Sequence, residues 1–518
     1  MFLRSVIFLS LLGFVSLNWA SCSFLDSNKA EAPATNDALR LIVSQSPVCP
    51  TDVFAFRALL KNHHLLLKTS LVANRGFHNP SQGSFSLFEW VTGQAKGFPT
   101  IEPGEFFFGH FTDVDEQNRL IANQYPEKNA LMIEAFAWDY KKNVFNFYEL
   151  RGDGEKGQWF YRGDSLDIFA DNSMLHRQLH PTFGDRLRCS GCHGQGGPIM
   201  KELFSPHNDW WTTKRPLDFG GRKPDESLSL ILTDLVSAEE LASAVQHGLK
   251  KLNQHQAYQS SSLQEQLRPL FCPVEVNFVA DESANDEYQA NISIPSDFFI
   301  DSRLLPHKRV ITISRTDYQA VLVYAESRFP ETSLLDADHA WLAPVKALSD
   351  QMVIDSLIKR GVISDKFVAD VLAVDMANPV FSSKRCELLS YLPLQSSPHW
   401  LDTFIYNLKQ SPSLAAKDLL ANLTDPTHTK DFYQQKAEQF LQQCQEKLTK
   451  LSHVEKMYAL LAQRRLEIQA SEISANPRGQ ILEPGFRVIF PSNNLASIPG
   501  YLEMNEQCDV KPKALTNG

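Results

Sequence analysis

FGDRLRCSGCHGQGGPIMKELFSPHNDWW, residues 183–211, contains the pentapeptide Cys189-Ser190-Gly191-Cys192-His193. This CxxCH spacing is typical of the covalent attachment of a c-type haem. Thiols at positions i and i+3 lie one helical turn apart, so each can bond one haem vinyl group, and the histidine that follows can bind the iron as proximal ligand. The spacing therefore predicts one haem c held by Cys189, Cys192 and His193.

The same spacing also occurs in zinc sites and dithiol redox centres, and it can arise by chance. A zinc site would need two more Cys or His ligands, usually as a second close pair, but the other cysteines are scattered singly along the chain. A thioredoxin-like dithiol should open a helix after a strand, whereas a glycine-rich loop follows here. The flanking sequence therefore favours haem attachment.

The amino terminus has the pattern of an export signal. Arg4 precedes an apolar run over residues 6–17, and small residues then lead to Cys22. The apolar run is too short to span a membrane comfortably. We therefore predict a cleaved signal peptide over residues 1–21 rather than a transmembrane anchor.

Ala20-Ser21-Cys22 is similar to the lipobox of bacterial lipoproteins, in which the cysteine becomes the lipidated first residue of the mature chain. Trp19 stands where that pattern usually has Leu, so ordinary signal cleavage is the alternative. Ser23, rather than Asp, resembles the sorting pattern of outer-membrane lipoproteins. The prediction is a periplasmic protein of a Gram-negative bacterium, bound to the outer membrane through a lipid on Cys22.

Composition limits the remaining possibilities. The chain has 43% hydrophobic and 21% charged residues and a net charge of −10, which suits a globular protein of two or three domains. The negative charge and the absence of a basic run in the sequence argue against a nucleic-acid partner. No other apolar segment of the sequence reaches membrane-spanning length.

The cysteines outside the CxxCH motif are consistent with an oxidising compartment. Setting Cys22 aside as lipidated leaves an odd number, which allows at most two disulfides among Cys49, Cys272, Cys386, Cys444 and Cys508. Cys444 lies on an apolar stripe at helical spacing, which favours a small core residue.

The predicted fold class is α+β, with an antiparallel β domain before the haem segment and a mainly helical region after it. Residues 22–50 read as a tether and lead-in, and the stretch 27–36 has the polar, Ala/Pro-containing composition of a spacer. A short helix, capped by Thr51, is expected over residues 52–64. Residues 51–170 form the predicted β-rich domain, sandwich-like or with a strongly curved sheet.

Aromatic and β-branched runs separated by turn residues predict the strands of this domain. Residues 130–138 are apolar on both faces, which indicates a central, covered strand. Residues 141–143 and 151–157 read as hairpin loops. The expected strands are 65–73, 84–91, 105–111, 119–124, 130–140, 144–150 and 158–164.

Helical patterns follow the CxxCH motif. The domain boundaries are 171–260 for the haem c-binding segment with its following helices and 261–518 for a mainly helical domain. Ser237 and Glu240 have the spacing of a capping box. Gly361 should end one helix and Ser364 should cap the next. A hairpin is expected within residues 275–295 and a returning strand within 479–491.

The lipobox together with FYRGD (160–164), FGDRLRCSGCHGQGGPIMKEL (183–203) and VLAVDMANPVFSSKRC (371–386) resembles a group of exported bacterial proteins with a cytochrome c domain. The resemblance covers most of the mature chain and implies a haem c protein of the cell envelope. Pro198 resembles the loop proline of cytochromes c, whose carbonyl accepts a hydrogen bond from the proximal imidazole. Cytochromes c carry a distal Met some tens of residues downstream, but after Met200 the next methionine is Met352.

Three functions follow from these patterns. The first is electron transfer to a redox partner protein through one covalent haem, because no other catalytic motif occurs in the sequence. The second is a peroxidase-like enzyme with an open distal site and acid/base groups such as His176, His180 or Glu202. The third is a binding or structural lipoprotein that the haem staples together.

The distal iron ligand decides between the carrier and the enzyme. Met200 is the first candidate, because the glycines after His193 allow the chain to turn around the haem edge. Open or water-bound iron is the next possibility. The remaining candidates are His176, His180, His207 and His247.

Overall fold

An eight-stranded mixed sheet organises the amino-terminal part of the protein. The computed structural model describes residues 22–26, 29–71, 86–122, 128, 130–168, 193, 196–198, 219, 221–259, 262–273, 276–279, 290–294, 296–307, 309–328, 343–380, 382–395, 397–461, 488–489 and 502–512. The strands of the sheet are β1 (Phe24–Leu25), β2 (Leu66–Leu71), β3 (Ser86–Thr92), β4 (Phe106–Val114), β5 (Leu120–Ala122), β6 (Leu131–Asp139), β7 (Val144–Gly152) and β8 (Gly157–Asp164).

The strand order is β1-β8-β7-β6-β4-β3-β2, with β5 paired to β4. The strands predicted from the aromatic and β-branched runs are confirmed, and β6 lies in the middle of the sheet as its two apolar faces indicate. The predicted hairpin loops join β6 to β7 and β7 to β8. Asn143 ends the first of them in the left-handed conformation that Asn tolerates, with φ 56°.

The predicted antiparallel β domain, sandwich-like or with a strongly curved sheet, needs two corrections. β1 pairs with β8 in parallel, so the sheet is mixed. Helices, rather than a second sheet, cover both faces. α1 (Ala38–Ser44) and α2 (Val53–Asn62) lie on one face, where Phe56 packs against Phe108 and Trp159. Asp52, not Thr51, caps α2, because its carboxylate accepts a hydrogen bond from the amide of Ala55.

The predicted tether is wrong for the described part of residues 27–36. Phe24 and Ala32 are buried, and the hydroxyl groups of Thr35 and Tyr148 are hydrogen-bonded at 2.8 Å. Burial raises the pKa of Asp37, which accepts a hydrogen bond from Tyr148. This segment packs on the sheet because its apolar and hydrogen-bonding side chains find partners there.

Two helices, α3 (Glu226–Thr233) and α4 (Ala238–Leu252), follow the CxxCH segment. α4 packs its apolar side on the second face of the sheet, where Leu241, Val245 and Leu249 join the buried cluster around Phe136. Ser237 is the N-cap, as predicted, but its side chain makes no capping hydrogen bond. Glu240 instead pairs with Lys68 of β2 at 2.7 Å.

The carboxy-terminal part is mainly helical, as predicted. Its helices include α5 (Gln256–Gln259), α6 (Leu263–Phe271), α7 (Arg315–Arg328), α8 (Leu348–Lys359), α9 (Asp365–Leu372), α10 (Ser383–Leu388), α11 (Trp400–Lys409), α12 (Leu414–Thr424) and α13 (Lys430–Lys447). Gly361 has φ 71° after α8, and Ser364 caps α9 by accepting from the amide of Phe367, which confirms both predictions. Phe271, Phe367 and Phe404 pack together in the core of this part.

Short strands accompany these helices. They are β9 (Val276–Val279), β10 (Asn291–Ile294), β11 (Ile311–Ser314), β12 (Ala343–Lys346), β13 (Val488–Ile489), β14 (Leu502–Met504) and β15 (Val510–Pro512). The hairpin predicted within 275–295 is wrong, because β9 pairs with β12 and β13 while β10 pairs with β11. The returning strand predicted within 479–491 is found as β13.

Three disulfides join Cys22 to Cys49, Cys272 to Cys386 and Cys444 to Cys508. The prediction of at most two was wrong because it set Cys22 aside. Cys444 is buried, as the apolar stripe indicates, but it is a disulfide partner rather than a free core residue.

Among the described residues, no helix has the length and apolar character needed to cross a membrane. The domain boundaries remain predictions.

Candidate functional site

His193, the histidine of the CxxCH motif, is a described residue and is buried. Its Nδ1 lies 2.8 Å from the carbonyl oxygen of Gly197. A carbonyl oxygen can only accept, so Nδ1 carries the proton and donates it, and Nε2 carries the free lone pair. This is the arrangement in which an imidazole binds a metal through Nε2 while a backbone carbonyl holds the ring.

The surroundings of His193 keep its ring neutral. Burial lowers the pKa of His193 to about 4, although hydrogen bonding to the backbone of Gly197 and Pro198 opposes this shift. A neutral imidazole is the form that binds a metal, because protonation would occupy the Nε2 lone pair. His193 can therefore act as a ligand at neutral pH without first losing a proton.

The loop that holds His193 depends on two glycines. The amide of Gly196 donates to the carbonyl of His193 at 2.6 Å, and Gly196 has φ +68°, a conformation that side chains disfavour. A Cβ at Gly196 would meet the backbone of Ser165, and a Cβ at Gly197 would meet Leu249 of α4. The glycine-rich sequence thus lets this loop enter a narrow gap between the end of β8 and α4.

His193 lies on the second face of the sheet, over a row of aromatic side chains. Its ring centroid is 5.1 Å from that of Phe136 and 5.2 Å from that of Phe147, which are cross-strand neighbours on β6 and β7. Phe107 and Trp90 continue the row across β4 and β3. We call Trp90, Phe107, Phe136 and Phe147 the aromatic row.

A second row lies two residues further along the same strands, on the same face. Strand register places Phe88, Gly109, Glu134, Glu149 and Phe160 side by side across five strands, and we call this set the carboxylate row. On the other side of the aromatic row, Trp138 of β6 pairs with Phe145 of β7. His193 thus lies between an apolar end and a carboxylate-bearing end of one sheet face.

The carboxylate row contains a buried ion pair. Glu149 accepts a hydrogen bond from Nε of Arg162 at 2.9 Å, and a terminal nitrogen of Arg162 forms an ion pair with the same carboxylate oxygen, also at 2.9 Å. Glu149 is 2% exposed and Arg162 4% exposed. Arg162 also lies over the ring of Phe160, 4.7 Å from its centroid. A buried ion pair therefore involves the strand that carries Phe147, whose ring contacts that of His193.

The structure places only some of the predicted site residues. Cys189, Cys192 and Met200 lie outside the described residues, as do His176, His180, Glu202 and His207. His247 is exposed on α4, and its Nδ1 donates to the carbonyl of Ser243 in the same helix, which is a surface role. Among the described residues, no group of three or more His, Cys, Asp or Glu side chains could hold a metal ion.

The structure adds two details to the predicted site. The resemblance to cytochromes c gave the carbonyl of Pro198 as the hydrogen-bond acceptor; the backbone of Pro198 does interact with His193, and the carbonyl of the preceding residue, Gly197, accepts from Nδ1 at 2.8 Å. The Glu149–Arg162 pair was not predicted. Alternation along β7 does put Glu149 on the face of Phe147, and that signal could have found it, but the pairing across a bulge in β8 could not be read from the sequence.

The disulfides bear on the amino-terminal prediction. Cys22 is 6% exposed and bonded to Cys49, and Phe24, two residues on, is fully buried. This disulfide competes with lipidation of Cys22, because one sulfur cannot carry both a diacylglyceryl group and a disulfide. The three disulfides use six of the eight cysteines, and the two that remain are Cys189 and Cys192.

Comparison of the chain with protein-family models, with curated proteins and with solved structures found no match.

Proposed function

We propose that the protein holds one haem c, bound covalently through Cys189 and Cys192 with His193 as the proximal iron ligand, and that it transfers electrons to a redox partner protein. The observation that carries the proposal is the state of His193. It is buried and neutral, and it donates through Nδ1 to the carbonyl of Gly197, which leaves Nε2 to bind iron. The CxxCH spacing supplies the two thiols.

A bound haem would supply one-electron chemistry, and the chain would set its environment. The hydrogen bond to Gly197 orients the ring of His193 and makes it a stronger donor to the metal. Phe136 and Phe147 pack against that ring and exclude water from it. Burial of this kind favours the less charged state of an iron centre and so influences its reduction potential.

Export is part of the proposal. Disulfides persist in oxidising compartments and are rare in reducing ones, and the described part of the chain contains three. The export signal predicted over residues 1–21 agrees with this. For the folded chain we propose a periplasmic protein in which Cys22 is bonded to Cys49. A lipid anchor on Cys22, as predicted from the lipobox, would require that this disulfide be absent.

The test is a haem assay on the protein purified from a periplasmic expression system that attaches haem c. We expect haem to remain on the chain through acid-acetone extraction and denaturing electrophoresis, and to be lost in the Cys189→Ala/Cys192→Ala variant. Loss of haem from the wild type under the same extraction contradicts the proposal. Cys272→Ser/Cys386→Ser is the matched control, since it removes two cysteines of a disulfide and should keep the haem.

A peroxidase-like enzyme is the second candidate function. The buried Glu149–Arg162 pair favours it, because acid/base and cationic groups near the haem are what such an enzyme needs.

The identity of the distal iron ligand distinguishes the electron carrier from the peroxidase-like enzyme. Met200→Ala should change a low-spin absorption and EPR spectrum if Met200 binds the iron, and an unchanged low-spin spectrum excludes Met200. A wild type that is already high-spin favours the enzyme.

A further inference from the structure

Two buried carboxyl groups meet where the amino-terminal segment packs on the sheet. Asp37, the N-cap of α1, and Asp139, the last residue of β6, are both fully buried. Asn146 of β7 donates through Nδ2 to Oδ2 of Asp37 at 2.7 Å and to Oδ2 of Asp139 at 3.0 Å. Because one nitrogen contacts both oxygens, these oxygens lie within about 6 Å of each other, where two like charges oppose each other's ionisation.

Asp139 has the hydrogen bonds that a carboxylate needs. Its Oδ1 accepts from the amides of Lys141 and Lys142, both at 2.9 Å, and its Oδ2 also accepts from the amide of Asn36 at 2.9 Å. Burial acts to raise the pKa of Asp139, but these hydrogen bonds outweigh it, and the pKa is lowered. Asp139 therefore keeps its negative charge.

Asp37 has fewer and weaker means of holding a charge. It accepts from the amide of Arg40 at 2.9 Å, from Asn146 and from the hydroxyl of Tyr148 at 2.6 Å, and none of these donor groups is charged. Burial raises the pKa of Asp37, and the hydrogen bonds from the Arg40 amide and Tyr148 only reduce that shift. Of the two carboxyl groups, Asp37 is the one that favours a proton.

The cations near Asp37 have other contacts. The guanidinium of Arg40 lies over the ring of Phe24, 4.2 Å from its centroid, and a terminal nitrogen of Arg40 reaches the carbonyl of Ala32 at 3.5 Å. Lys142 donates to Asp164 and to the side-chain oxygen of Asn146, both at 2.8 Å. The other titratable groups around Asp37 are Tyr140, Tyr148 and Tyr161.

A chain of hydroxyl groups can accommodate a proton on Asp37. The hydroxyl of Tyr148 lies 2.6 Å from Oδ2 of Asp37 and 2.8 Å from Oγ1 of Thr35, and each hydroxyl can donate or accept. When Asp37 is charged, Thr35 donates to Tyr148 and Tyr148 donates to Asp37. When Asp37 is protonated the direction reverses, so both states keep the same three groups bonded.

We propose that Asp37 holds a proton in the folded protein and that this proton is a latch, whose loss with rising pH loosens residues 35–44 from the sheet. A negative charge on Asp37 lies beside that of Asp139 in a place removed from solvent, whereas detachment of the segment returns Asp37 to water. The inference concerns the amino-terminal segment and does not involve the proposed haem.

The first experiment follows the side-chain carboxyl carbons of the wild type by NMR during a pH titration. We expect Asp37 to titrate above the ordinary value of 3.8 and Asp139 to titrate below it. An Asp37 that titrates at or below 3.8 overturns the proposal. This measurement needs no variant, so it decides the protonation of Asp37 even if a substitution there prevents folding.

The second experiment measures hydrogen exchange of the α1 amides in the wild type and in Asp37→Asn, since Asn caps helices as well as Asp but does not titrate. Between pH 3.8 and the raised pKa of folded Asp37, the detached segment has lost its proton and the folded one has not. The ratio of protection factors, wild type to variant, should therefore fall about tenfold per pH unit across this window and stay constant above it.

Asp52→Asn is the matched control for this change. Asp52 caps α2 by accepting from the amide of Ala55 at 2.8 Å, as Asp37 caps α1, but it is partly exposed. Its substitution should leave the protection of α1 and the pH dependence of that protection unchanged. A ratio between wild type and Asp37→Asn that does not vary with pH overturns the latch, because the proton on Asp37 then has no effect on the segment.

Discussion

Cys22 and Cys49 form a disulfide with their Cα atoms 5.0 Å apart, and Cys22 is the residue that the lipobox pattern marks for lipidation. Phe24, two residues after Cys22, is buried in the core. Its ring packs at a tilt against Trp159 and edge-on against Tyr148. The first described residues are thus part of the folded sheet and provide no spacer to hold it off a membrane. The disulfide and the lipid are mutually exclusive, so one measurement decides between them.

We expect Cys22→Ser to leave the protein in the soluble periplasmic fraction, where the wild type should also be found. The intact mass of the unreduced wild type should show no diacylglyceryl group, and the variant should gain one reactive thiol at Cys49. Cys49→Ser is the control, because it breaks the disulfide without touching the lipobox. Movement of the wild type, but not of Cys22→Ser, to the membrane fraction would establish lipidation and exclude the disulfide.

The cysteine inventory makes a second prediction. With six cysteines in disulfides and Cys189 and Cys192 bonded to haem, the denatured, unreduced protein should have no thiol that reacts with iodoacetamide. Reduction should then add six alkyl groups, two for each disulfide. Mass spectrometry measures both numbers. Two reactive thiols at Cys189 and Cys192 before reduction would show that the haem is not attached.

Gly196 should be intolerant of a side chain. Its φ is +68°, and a Cβ there would meet the backbone of Ser165, which cannot move aside as a flexible side chain can. We expect Gly196→Ala to cost about 2–4 kcal/mol, the sum of left-handed backbone strain and overpacking. The measurement is the free energy of unfolding in urea, with haem attachment as a second readout.

Gly361→Ala is the matched control for this change. Gly361 has nearly the same backbone conformation, with φ +71°, but no heavy atom lies within 4 Å of its Cβ position. Gly361→Ala should therefore lower the free energy of unfolding only by the cost of a left-handed backbone with a side chain, about 1–2 kcal/mol. Equal losses of unfolding free energy in Gly196→Ala and Gly361→Ala would show that the contact with the backbone of Ser165 adds nothing to the cost.

Stability without haem should depend on pH through His193. Its pKa falls from 6.5 to about 4 on folding, so between these values the unfolded chain binds the proton more readily than the folded chain. The folded state therefore keeps its full stability above about pH 6.5 and loses about 3 kcal/mol as the pH falls to about 4.

The haem-free Cys189→Ala/Cys192→Ala protein, with and without His193→Asn, measures this contribution. The difference in unfolding free energy between the two proteins should change across pH 4–6.5 and stay constant above that window. Carboxyl groups titrate equally in both proteins and cancel in the difference. A difference that does not depend on pH would mean that His193 is not buried in the neutral form.

On the opposite face of the sheet, Glu89 is a fully buried carboxylate with two partners. It contacts Arg57 of α2 and accepts a hydrogen bond from His110 at 2.7 Å. Burial acts to raise the pKa of Glu89, but His110 and Arg57 outweigh it, and the pKa is lowered. We expect Arg57→Met to cost about 3–5 kcal/mol in unfolding free energy, because it leaves the charge of Glu89 uncompensated.

Lys68→Met provides the comparison, since the Lys68–Glu240 pair is about half exposed and should contribute less than about 1 kcal/mol. The loss in Arg57→Met should also shrink as the pH falls and Glu89 becomes protonated, because a neutral carboxyl no longer needs the cation. If Arg57→Met and Lys68→Met lost similar amounts of unfolding free energy at neutral pH, burial of Glu89 would not be the reason for the cost.

Local patterns in the sequence were sufficient to predict many of the strands and helix ends. Runs of aromatic and β-branched residues predicted the strands from β2 to β8, because alternating side chains have to suit a sheet whatever its neighbours are. Gly361 and Ser364 marked the boundary between α8 and α9, because helix ends depend on the conformation and hydrogen bonding of single residues. The CxxCH spacing likewise predicts haem attachment from five consecutive residues, and haem attachment stays a prediction.

The sequence could not determine the contacts between residues that lie far apart in the chain. Parallel pairing of β1 with β8, and the pairing of Cys22 with Cys49, depend on how the amino-terminal segment packs on the finished sheet. Composition alone had indicated a tether there. The pairing of Glu149 with Arg162 requires the register and the bulge between β7 and β8. The CxxCH spacing predicts His193 as an iron ligand, but only the tertiary structure orients its ring, because Gly197, Phe136 and Phe147 contact it from separate elements.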